Sequence, residues 1–326
     1  MKALAWLALL SAGLGGIESA SADTPKPGDA LEWLNRVAAS ARQLTYSGTF
    51  VYQYGKTLET SRITHLRDAG GERSKLETLD GPLQVILRKD DDFYCLNTDS
   101  KPVKLDASHG RQFFPSLTSA PASTFTDNYQ VKLGGVERVA GYDCQMLRLV
   151  PKDNLRYERR LCADVGSGLL LKTATFNEKN EMIEMFAFTQ VAFGQQLDKE
   201  RVRNMLVDSL VESQVEHSAL EGNVVESGWT VANPPPGFKK VMEMKRSLSG
   251  KPGSVYHLVY SDGLAAVSVF IEPSKEKSKF PLGSSHQGAV NYFLTRVADF
   301  QVTVLGEVPQ PSVMQIGNSV ALRPRQ

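Results

Sequence analysis

The stretch LEWLNRVAASARQLTYSGTFVYQY, residues 31–54, decides the fold because a helix pattern runs directly into a strand pattern there. Leu34, Val37 and Ala41 recur at the spacing of one helix face, up to Leu44. From Tyr46 the chain is rich in β-branched and aromatic residues, which favour strands. The stretch therefore predicts a helix over residues 31–44 that covers one face of the sheet into which it leads.

Strand patterns separated by turn residues continue to about residue 193, and they predict a meander of about ten antiparallel strands. A sheet of that size does not stay flat but twists and curls towards an incomplete barrel. The fold class expected here is mainly β, a half-open antiparallel β-barrel covered by helices.

The length of 326 residues suits two domains. Residues 194–226 are polar and acidic with little to bury, so we expect the boundary there. The predicted division is a signal peptide at 1–22, a large β domain at 23–200, a linker at 201–226 and a small α+β domain at 227–326.

The small domain is predicted from alternating strand and helix patterns. The runs KVMEMKRSL, SVYHLVYS and LAAVSVFIE predict strands, and Asp262-Gly263 predicts the hairpin turn between the last two. GAVNYFLTRVA predicts a helix, FQVTVLGEV a strand and SVMQIGNSVAL a closing helix.

The N-terminus has the pattern of a cleavable secretory signal peptide. Lys2 forms its charged start, Leu4 to Leu14 its apolar core, and Ala20-Ser21-Ala22 its cleavage site. The apolar core is too short to span a bilayer, and no cysteine near the cleavage site marks a lipid anchor. We expect the mature protein to begin at Asp23 in an oxidising compartment, a bacterial periplasm.

An oxidising compartment permits a disulfide, and two of the three cysteines flank one predicted hairpin. Cys144 and Cys162 lie symmetrically about the predicted turn at 151–154. A hairpin centred there places Cys144 directly opposite Cys162, and Arg148 opposite Glu158. This register predicts a Cys144–Cys162 disulfide, with two buried thiols as the alternative.

Residues 105–129 break the strand pattern, because they are rich in Ser, Thr, Ala and Pro. A loop this long inside a compact domain is usually functional or disordered. It carries Phe113, Phe114 and Phe125, which either plug the concave face of the sheet or contact a ligand there. The two interpretations are compatible if the plug moves.

Composition and motifs show no pattern for catalysis, metal binding or nucleic-acid binding. The net charge is +1, whereas general nucleic-acid binders carry a strong basic excess. The five histidines are scattered without metal-ligand spacing, no nucleophile elbow is present, and Cys95 is expected to be an inert core thiol. We predict no catalytic residue, no metal and no cofactor, and a binding protein rather than an enzyme.

Charge is unevenly distributed along the chain. From Val224 to Gln326 there are eleven Lys and Arg against seven Asp and Glu, a net charge of +4. The preceding part, without the signal peptide, has a net charge of −3. A basic small domain suits an acidic partner or lipid phosphates, and ordinary scatter of charge is the alternative.

Four segments carry a resemblance to a known family. WTVANPPPGF, HLVYSDGLAAVSVFIE and VTVLGEVP resemble the C-terminal domain of the RseB/MucB family, and GYDCQMLRLVPKDNLRYERRLCADVGSGLLLK resembles the matching region of its N-terminal domain. The similarity covers essentially all of the mature chain. It implies a lipoprotein-carrier-like β domain followed by a smaller partner-binding domain.

The resemblance also implies a function. Members of this family bind the periplasmic part of an inner-membrane anti-sigma factor of the RseA or MucA type and shield it from regulated proteolysis. Mislocalised lipid or lipopolysaccharide releases them, which frees an extracytoplasmic-function sigma factor for the envelope stress response and, in one branch, for alginate production. A homo-oligomer is compatible with this role. The alternative is a periplasmic lipid or lipoprotein carrier, which would not need the second domain.

The site candidates combine the implied role with the residues themselves. The lipid-cavity candidates are Trp33, Phe50, Phe113, Phe114 and Phe125. The partner-contact candidates are Tyr260, Asp262 and Arg296. For each candidate, core packing, a solvated turn or a surface charge is the alternative.

Overall fold

The computed structural model describes residues 27–90, 92–97, 103–105, 114, 122–194, 197–198, 200, 202–204, 216–217, 223–224, 226–247, 254–274 and 281–323. The predicted signal peptide, Phe113 and most of the predicted linker lie outside the described residues.

Helix α1, Pro27–Gln43, leads into a sheet of twelve described strands. These are β1 Tyr46–Tyr54, β2 Thr57–Asp68, β3 Gly71–Thr78, β4 Gln84–Lys89, β5 Asp92–Asn97, β6 Val103–Leu105, β7 Tyr129–Val139, β8 Tyr142–Pro151, β9 Glu158–Asp164, β10 Leu170–Phe176, β11 Met182–Phe193 and β12 Glu216–His217. Their spatial order is β12-β6-β5-β4-β3-β2-β1-β11-β10-β9-β8-β7, antiparallel except where β12 pairs with β6. We call this sheet with α1 the large domain.

In the interior of the sheet, β1 pairs with β2 on one side and with the distant β11 on the other, and strand twist curls a sheet of this size. At one end the curl brings β8 against β11, where the Tyr142 hydroxyl donates to the Val191 carbonyl at 3.2 Å. Among the described strands, β7 and β12 remain edges, so the barrel is half-open. The predicted mainly β, half-open barrel is confirmed, with twelve strands instead of about ten.

Helix α1 covers one face of this sheet, which we call the inner face. Leu34 and Val37 are almost fully buried in one apolar cluster with Tyr46 and Leu170. Burial of side chains of this size stabilises the fold by roughly 1.5–3 kcal/mol each. The Ser40 hydroxyl donates to the Ser167 carbonyl at 2.7 Å and fixes the second half of the helix. The predicted covering helix is therefore present, and it begins four residues earlier than expected.

The small domain contains a sheet of seven described strands in the order β13-β15-β16-β17-β20-β19-β18. They are β13 Asn223–Val224, β15 Lys239–Ser247, β16 Ser254–Ser261, β17 Ala266–Pro273, β18 Gly283–Gln287, β19 Val290–Val297 and β20 Phe300–Gly306. A two-stranded sheet pairs β14, Trp229–Val231, with β21, Val320–Leu322.

Helix α2, Gln310–Asn318, packs against β19 and β20. It confirms the first part of the predicted closing helix, whereas the last predicted residues, Val320–Leu322, form strand β21. Pro311 lies in its first turn, where the missing N–H has no helical partner to lose. Gly317 allows the close approach, because a Cβ there would lie 2.5 Å from a ring carbon of Phe293.

The helix predicted for GAVNYFLTRVA is wrong, because this segment forms β19. It pairs with both β18 and β20, and its first half alternates between buried and partly exposed residues. Positive φ angles at Gly288 and Ala298 make the tight turns on either side. The apolar residues of this segment fit the two-residue repeat of a strand as well as the helical repeat that we expected. The sequence pattern alone therefore did not distinguish the two.

The predicted register of the β8–β9 hairpin is wrong by two residues. Cys144 pairs with Asp164 and Met146 with Cys162, so the hairpin is centred on Asn154. The loop is longer than a tight turn, and within it the Arg156 side chain is fully buried against Asp262 and Pro236 of the small domain.

Two side-chain contacts expected from that register are nevertheless present, because diagonal neighbours are also within reach. Arg148 Nε donates to Glu158 at 2.7 Å. Cys144 and Cys162 form a disulfide with their Cα atoms 5.3 Å apart, and both residues are fully buried. Cys95 is partly buried and takes no part in a disulfide.

Two short strands lie in the segment predicted to be a linker. β12 adds to the large sheet beside β6, and β13 adds to the small sheet beside β15. These two strands attach the segment to both domains.

Replacing Cys144 and Cys162 together by alanine should lower the free energy of unfolding by roughly 3 kcal/mol. The disulfide joins residues 18 positions apart and so restricts the unfolded chain. Urea unfolding of the wild type and the double variant measures the difference, and Cys95→Ser is the control that leaves the disulfide intact. Equal unfolding midpoints would show that the disulfide contributes no stability.

Candidate functional site

The inner face carries phenylalanine rings at its centre. Phe50 on β1 is the cross-strand partner of Phe188 on β11, and their rings meet edge to face at 6.0 Å. Phe186 lies two residues before Phe188 and 6.2 Å from Phe50. Strand alternation places these side chains on the same face.

A further ring comes from the long loop between β6 and β7. Phe114 is 6% exposed, and its ring lies 4.9 Å from Phe188, 5.1 Å from Phe50 and 5.7 Å from Phe186. Such ring pairs contribute about 0.5–1.5 kcal/mol beyond their buried area. We call Phe50, Phe114, Phe186 and Phe188 the aromatic cluster, and Phe114 is its member from outside the sheet.

The other lipid-cavity candidates lie around this cluster. Phe125, in the short 3-10 helix Ala122–Phe125, is 1% exposed within the same apolar core. Trp33 on α1 is partly buried against that core, with the Arg36 guanidinium 4.9 Å from its ring. The structure thus brings four of the five candidates to one apolar interior, and Phe113 lies outside the described residues.

The aromatic cluster continues to the boundary between the domains. Tyr52 stacks on Phe186 with centroids 4.2 Å apart, and Tyr54 stacks on Tyr52 at 4.9 Å. Gly288 of the small domain packs on Tyr54, since a Cβ there would lie 3.3 Å from the ring. Aromatic side chains therefore run without interruption from the interior of the large domain to the small domain.

Two carboxylates and one arginine lie beside this column of rings. Glu184 on β11 is 4% exposed and accepts hydrogen bonds from the Tyr52 hydroxyl at 2.9 Å and the Thr175 hydroxyl at 3.2 Å. Arg159 of the large domain donates to Glu307 of the small domain at 3.3 Å. Burial and the nearby Glu307 charge raise the pKa of Glu184 above its ordinary value, although Arg159 opposes the shift.

A fully buried ion pair joins the two domains. Arg156, in the β8–β9 loop, donates from Nε to Asp262 at 2.7 Å, and neither side chain is exposed. Arg156 also donates to Asp153 and to the carbonyl of Pro236. The Tyr129 hydroxyl donates to the same Asp262 oxygen at 3.1 Å. Burial, followed by the Asp262 charge, raises the pKa of Tyr129 well above its ordinary range.

The second oxygen of Asp262 shapes the β16–β17 hairpin turn. It accepts hydrogen bonds from the backbone N–H groups of Leu264 at 2.9 Å and Ala265 at 2.8 Å. Leu264 is 1% exposed and belongs to the apolar core of the large domain, not to that of its own domain. A single carboxylate therefore fixes the hairpin tip and binds it to the large domain.

Three further contacts connect the domains around this ion pair. The Ser312 hydroxyl donates to the Leu155 carbonyl at 2.5 Å, and the Asn291 side chain donates to the Tyr157 hydroxyl at 2.9 Å. Gly237, with a φ of +79°, lies against the Asn128 side chain, where no Cβ would fit. The β8–β9 loop is thus held by several elements of the small domain.

The partner-contact candidates occupy different environments. Tyr260 is 4% exposed in the core of the small domain, and its hydroxyl accepts a hydrogen bond from the Val231 N–H at 3.0 Å. Asp262 is occupied by its contacts with the large domain. Arg296 is exposed on β19. Of the three, only Arg296 is accessible to a partner without a rearrangement of the domains. The partner-contact roles of all three remain predictions.

Within the described residues, no three His, Cys, Asp or Glu side chains group together in a way that could hold a metal ion. No described helix has the length and apolar character needed to cross a membrane.

Sequence reasoning missed Arg156, Glu184 and Leu264. Arg156 stands among three other arginines in LRYERR and the preceding strand, so nothing marks it as the buried one. Leu264 continues the apolar pattern of its own strand. Glu184 offered a signal, because it interrupts the otherwise apolar inner-face residues of β11.

The chain is similar to known proteins along nearly its whole length. The family described as MucB/RseB N-terminal domain matches residues 29–206, and that described as MucB/RseB C-terminal domain matches residues 223–321. The sigma factor AlgU regulatory protein MucB of Pseudomonas aeruginosa is 32% identical over 296 residues, 90% of each chain. The sigma-E factor regulatory protein RseB of Escherichia coli is 24% identical over 299 residues, 91% of each chain.

Solved structures show the same architecture. The complex of Pseudomonas aeruginosa MucA and MucB matches with a TM-score of 0.72 and 29% identity, over 91% of this chain and 100% of that one. MucB alone matches with a TM-score of 0.65 and 30% identity, over 91% of this chain and 98% of that one.

Glu184→Gln should reduce the loss of stability with rising pH. Because the folded protein raises the pKa of Glu184, its contribution is complete below the ordinary carboxyl pKa and is lost as pH rises through the raised value. Melting temperatures of the wild type and variant between about pH 4 and about pH 8 should diverge increasingly towards high pH. Glu178→Gln, at an exposed residue, is the control. Parallel curves for Glu184→Gln and wild type would contradict the assignment.

Proposed function

The chain belongs to the MucB/RseB family, and on that premise we propose that it regulates an extracytoplasmic-function sigma factor by binding an anti-sigma factor. The family is regulatory and not enzymatic. The observation that carries the proposal is the match over 91% of the chain to MucB in its complex with MucA, both domains included.

The proposed partner is the periplasmic part of a transmembrane anti-sigma factor of the MucA or RseA type. A solved complex of MucB with the periplasmic segment of MucA, matching at a TM-score of 0.70 and 30% identity, supports this choice. Bound to this chain, the segment would be shielded from regulated proteolysis, and the sigma factor would stay inactive. The envelope stress response and alginate production are the proposed outputs.

The proposed location is the periplasm. Residues 1–22 would direct export as a signal peptide and would then be cleaved off. The pattern of Lys2, the apolar core and Ala20-Ser21-Ala22 supports it. The buried Cys144–Cys162 disulfide suits an oxidising compartment.

The proposed releasing signal is a lipid or lipopolysaccharide whose acyl chain enters the inner face of the large domain. The aromatic cluster supports this part, since it offers an apolar interior between a sheet and a helix. Phe114 contributes a ring from a loop, so an acyl chain can replace it without breaking a strand. Each buried methylene contributes about 0.8 kcal/mol, so several carbons compensate for one displaced ring.

A titration tests the regulatory proposal. The protein from Asp23 onward is titrated against a purified anti-sigma periplasmic segment, with and without lipopolysaccharide. Tight binding that lipopolysaccharide weakens supports the proposal. Lipid binding without any peptide binding would favour the carrier alternative.

Replacing Phe113 and Phe114 together by alanine should weaken the response to lipid while the protein stays folded, because an acyl chain would no longer displace a ring that contacts the aromatic cluster. The same titration measures the lipopolysaccharide concentration that releases the peptide. Phe176→Ala is the matched control, since its ring lies under the Arg160 guanidinium at 3.6 Å, away from the aromatic cluster. An unchanged lipid response in the double variant would remove the loop from the mechanism.

A further inference from the structure

We infer that the β16–β17 hairpin tip, residues 262–264, is an intramolecular plug that competes with a lipid acyl chain for the interior of the large domain. The inference rests on the proposed lipid binding and adds its regulation: domain closure and acyl-chain entry exclude each other.

The apolar part of the plug is Leu264. The strands on either side of the turn bury Leu258, Tyr260, Val267 and Val269 in the core of the small domain. Leu264 leaves that pattern and joins the core of the large domain, which also contains the aromatic cluster. A leucine side chain and a segment of acyl chain are both saturated hydrocarbon, so the same apolar surroundings accept either one.

The polar part of the plug is Asp262, which holds the tip in place. One carboxylate oxygen fixes the backbone N–H groups of Leu264 and Ala265, and the other binds Arg156 and Tyr129. The Arg156 and Asp262 side chains are both fully buried, so each needs the other as a partner in the closed state. The leucine therefore cannot leave the interior without straining or breaking the ion pair.

Contacts beside the plug connect the interior of the large domain to the domain boundary, so they couple acyl-chain entry to domain opening. Tyr52 stacks on Phe186 of the aromatic cluster and donates to Glu184, while Arg159 pairs with Glu307 of the small domain. An acyl chain that displaces Phe114 or Leu264 disturbs rings that end at the domain boundary. By linkage, closing the domains lowers the affinity for an acyl chain by the same factor by which the chain favours opening.

The test measures acyl-chain affinity and domain separation in the same protein. Cis-parinaric acid, a fluorescent fatty acid, is titrated into the wild type and into Leu264→Ala, where we expect affinity to rise roughly tenfold because the closed state loses its plug.

Spin labels at Glu178→Cys and Asp299→Cys, in a Cys95→Ser background, report the distance between the domains; both labelled positions are exposed. Probe binding should change that distance in the wild type.

Two more variants keep the test decisive. Asp262→Asn retains the turn acceptor but removes the charge that pairs with Arg156, and it should raise probe affinity in the same direction even if Leu264→Ala folds poorly. Leu282→Ala, a leucine of the small domain that is 54% exposed, is the matched control and should bind the probe as the wild type does.

The outcomes separate this inference from the function on which it rests. Equal probe affinity in the wild type, Leu264→Ala and Asp262→Asn, with an unchanged label distance, would overturn the plug and leave lipid binding intact. No probe binding by any of these proteins would overturn lipid binding itself, and the plug with it.

Discussion

The structure depends on one constraint: a curled sheet with an apolar inner face must have that face covered. The sheet alone cannot do so, because it stays open between β7 and β12 among the described strands. Among the described residues, three separate pieces of chain supply the cover, namely helix α1, the segment between β6 and β7 with Phe114 and Phe125, and Leu264 from the other domain. Only the helix is part of a regular element that packs over several turns, so the other two contributions are the replaceable ones.

Covering the face with a second domain brings charges into the interior. Arg156 and Asp262 are fully buried, and such a pair adds little net stability compared with an apolar one, although losing one partner is costly. It does impose a single geometry, because Asp262 must meet Arg156, Tyr129 and its own turn at once. The pair therefore sets how the domains fit, while the apolar contacts supply most of the driving force.

The large-scale organisation could be predicted from sequence because it depends on local periodicity. The covering helix, the long meander, the β16–β17 hairpin and the cysteine pairing all left short-range patterns between residues 27 and 273. Two errors concern segments whose local pattern fits more than one structure. The apolar residues of β19 also fit a helix, and the β8–β9 hairpin is centred on a different residue than its turn pattern suggested. Contacts between the domains were not predictable, since Arg156 and Asp262 lie 106 residues apart and no local pattern joins them.

That separation has a consequence for how the molecule is made. Synthesis delivers the large sheet first, and β11 ends at Phe193, long before the hairpin tip at residues 262–264 has emerged. Until that tip emerges, the guanidinium of Arg156 lacks its partner Asp262, and Leu264 does not yet cover the interior of the large domain. We therefore expect docking of the domains to be the last assembly step, and the large domain before docking to be the form most accessible to apolar molecules and most prone to aggregate.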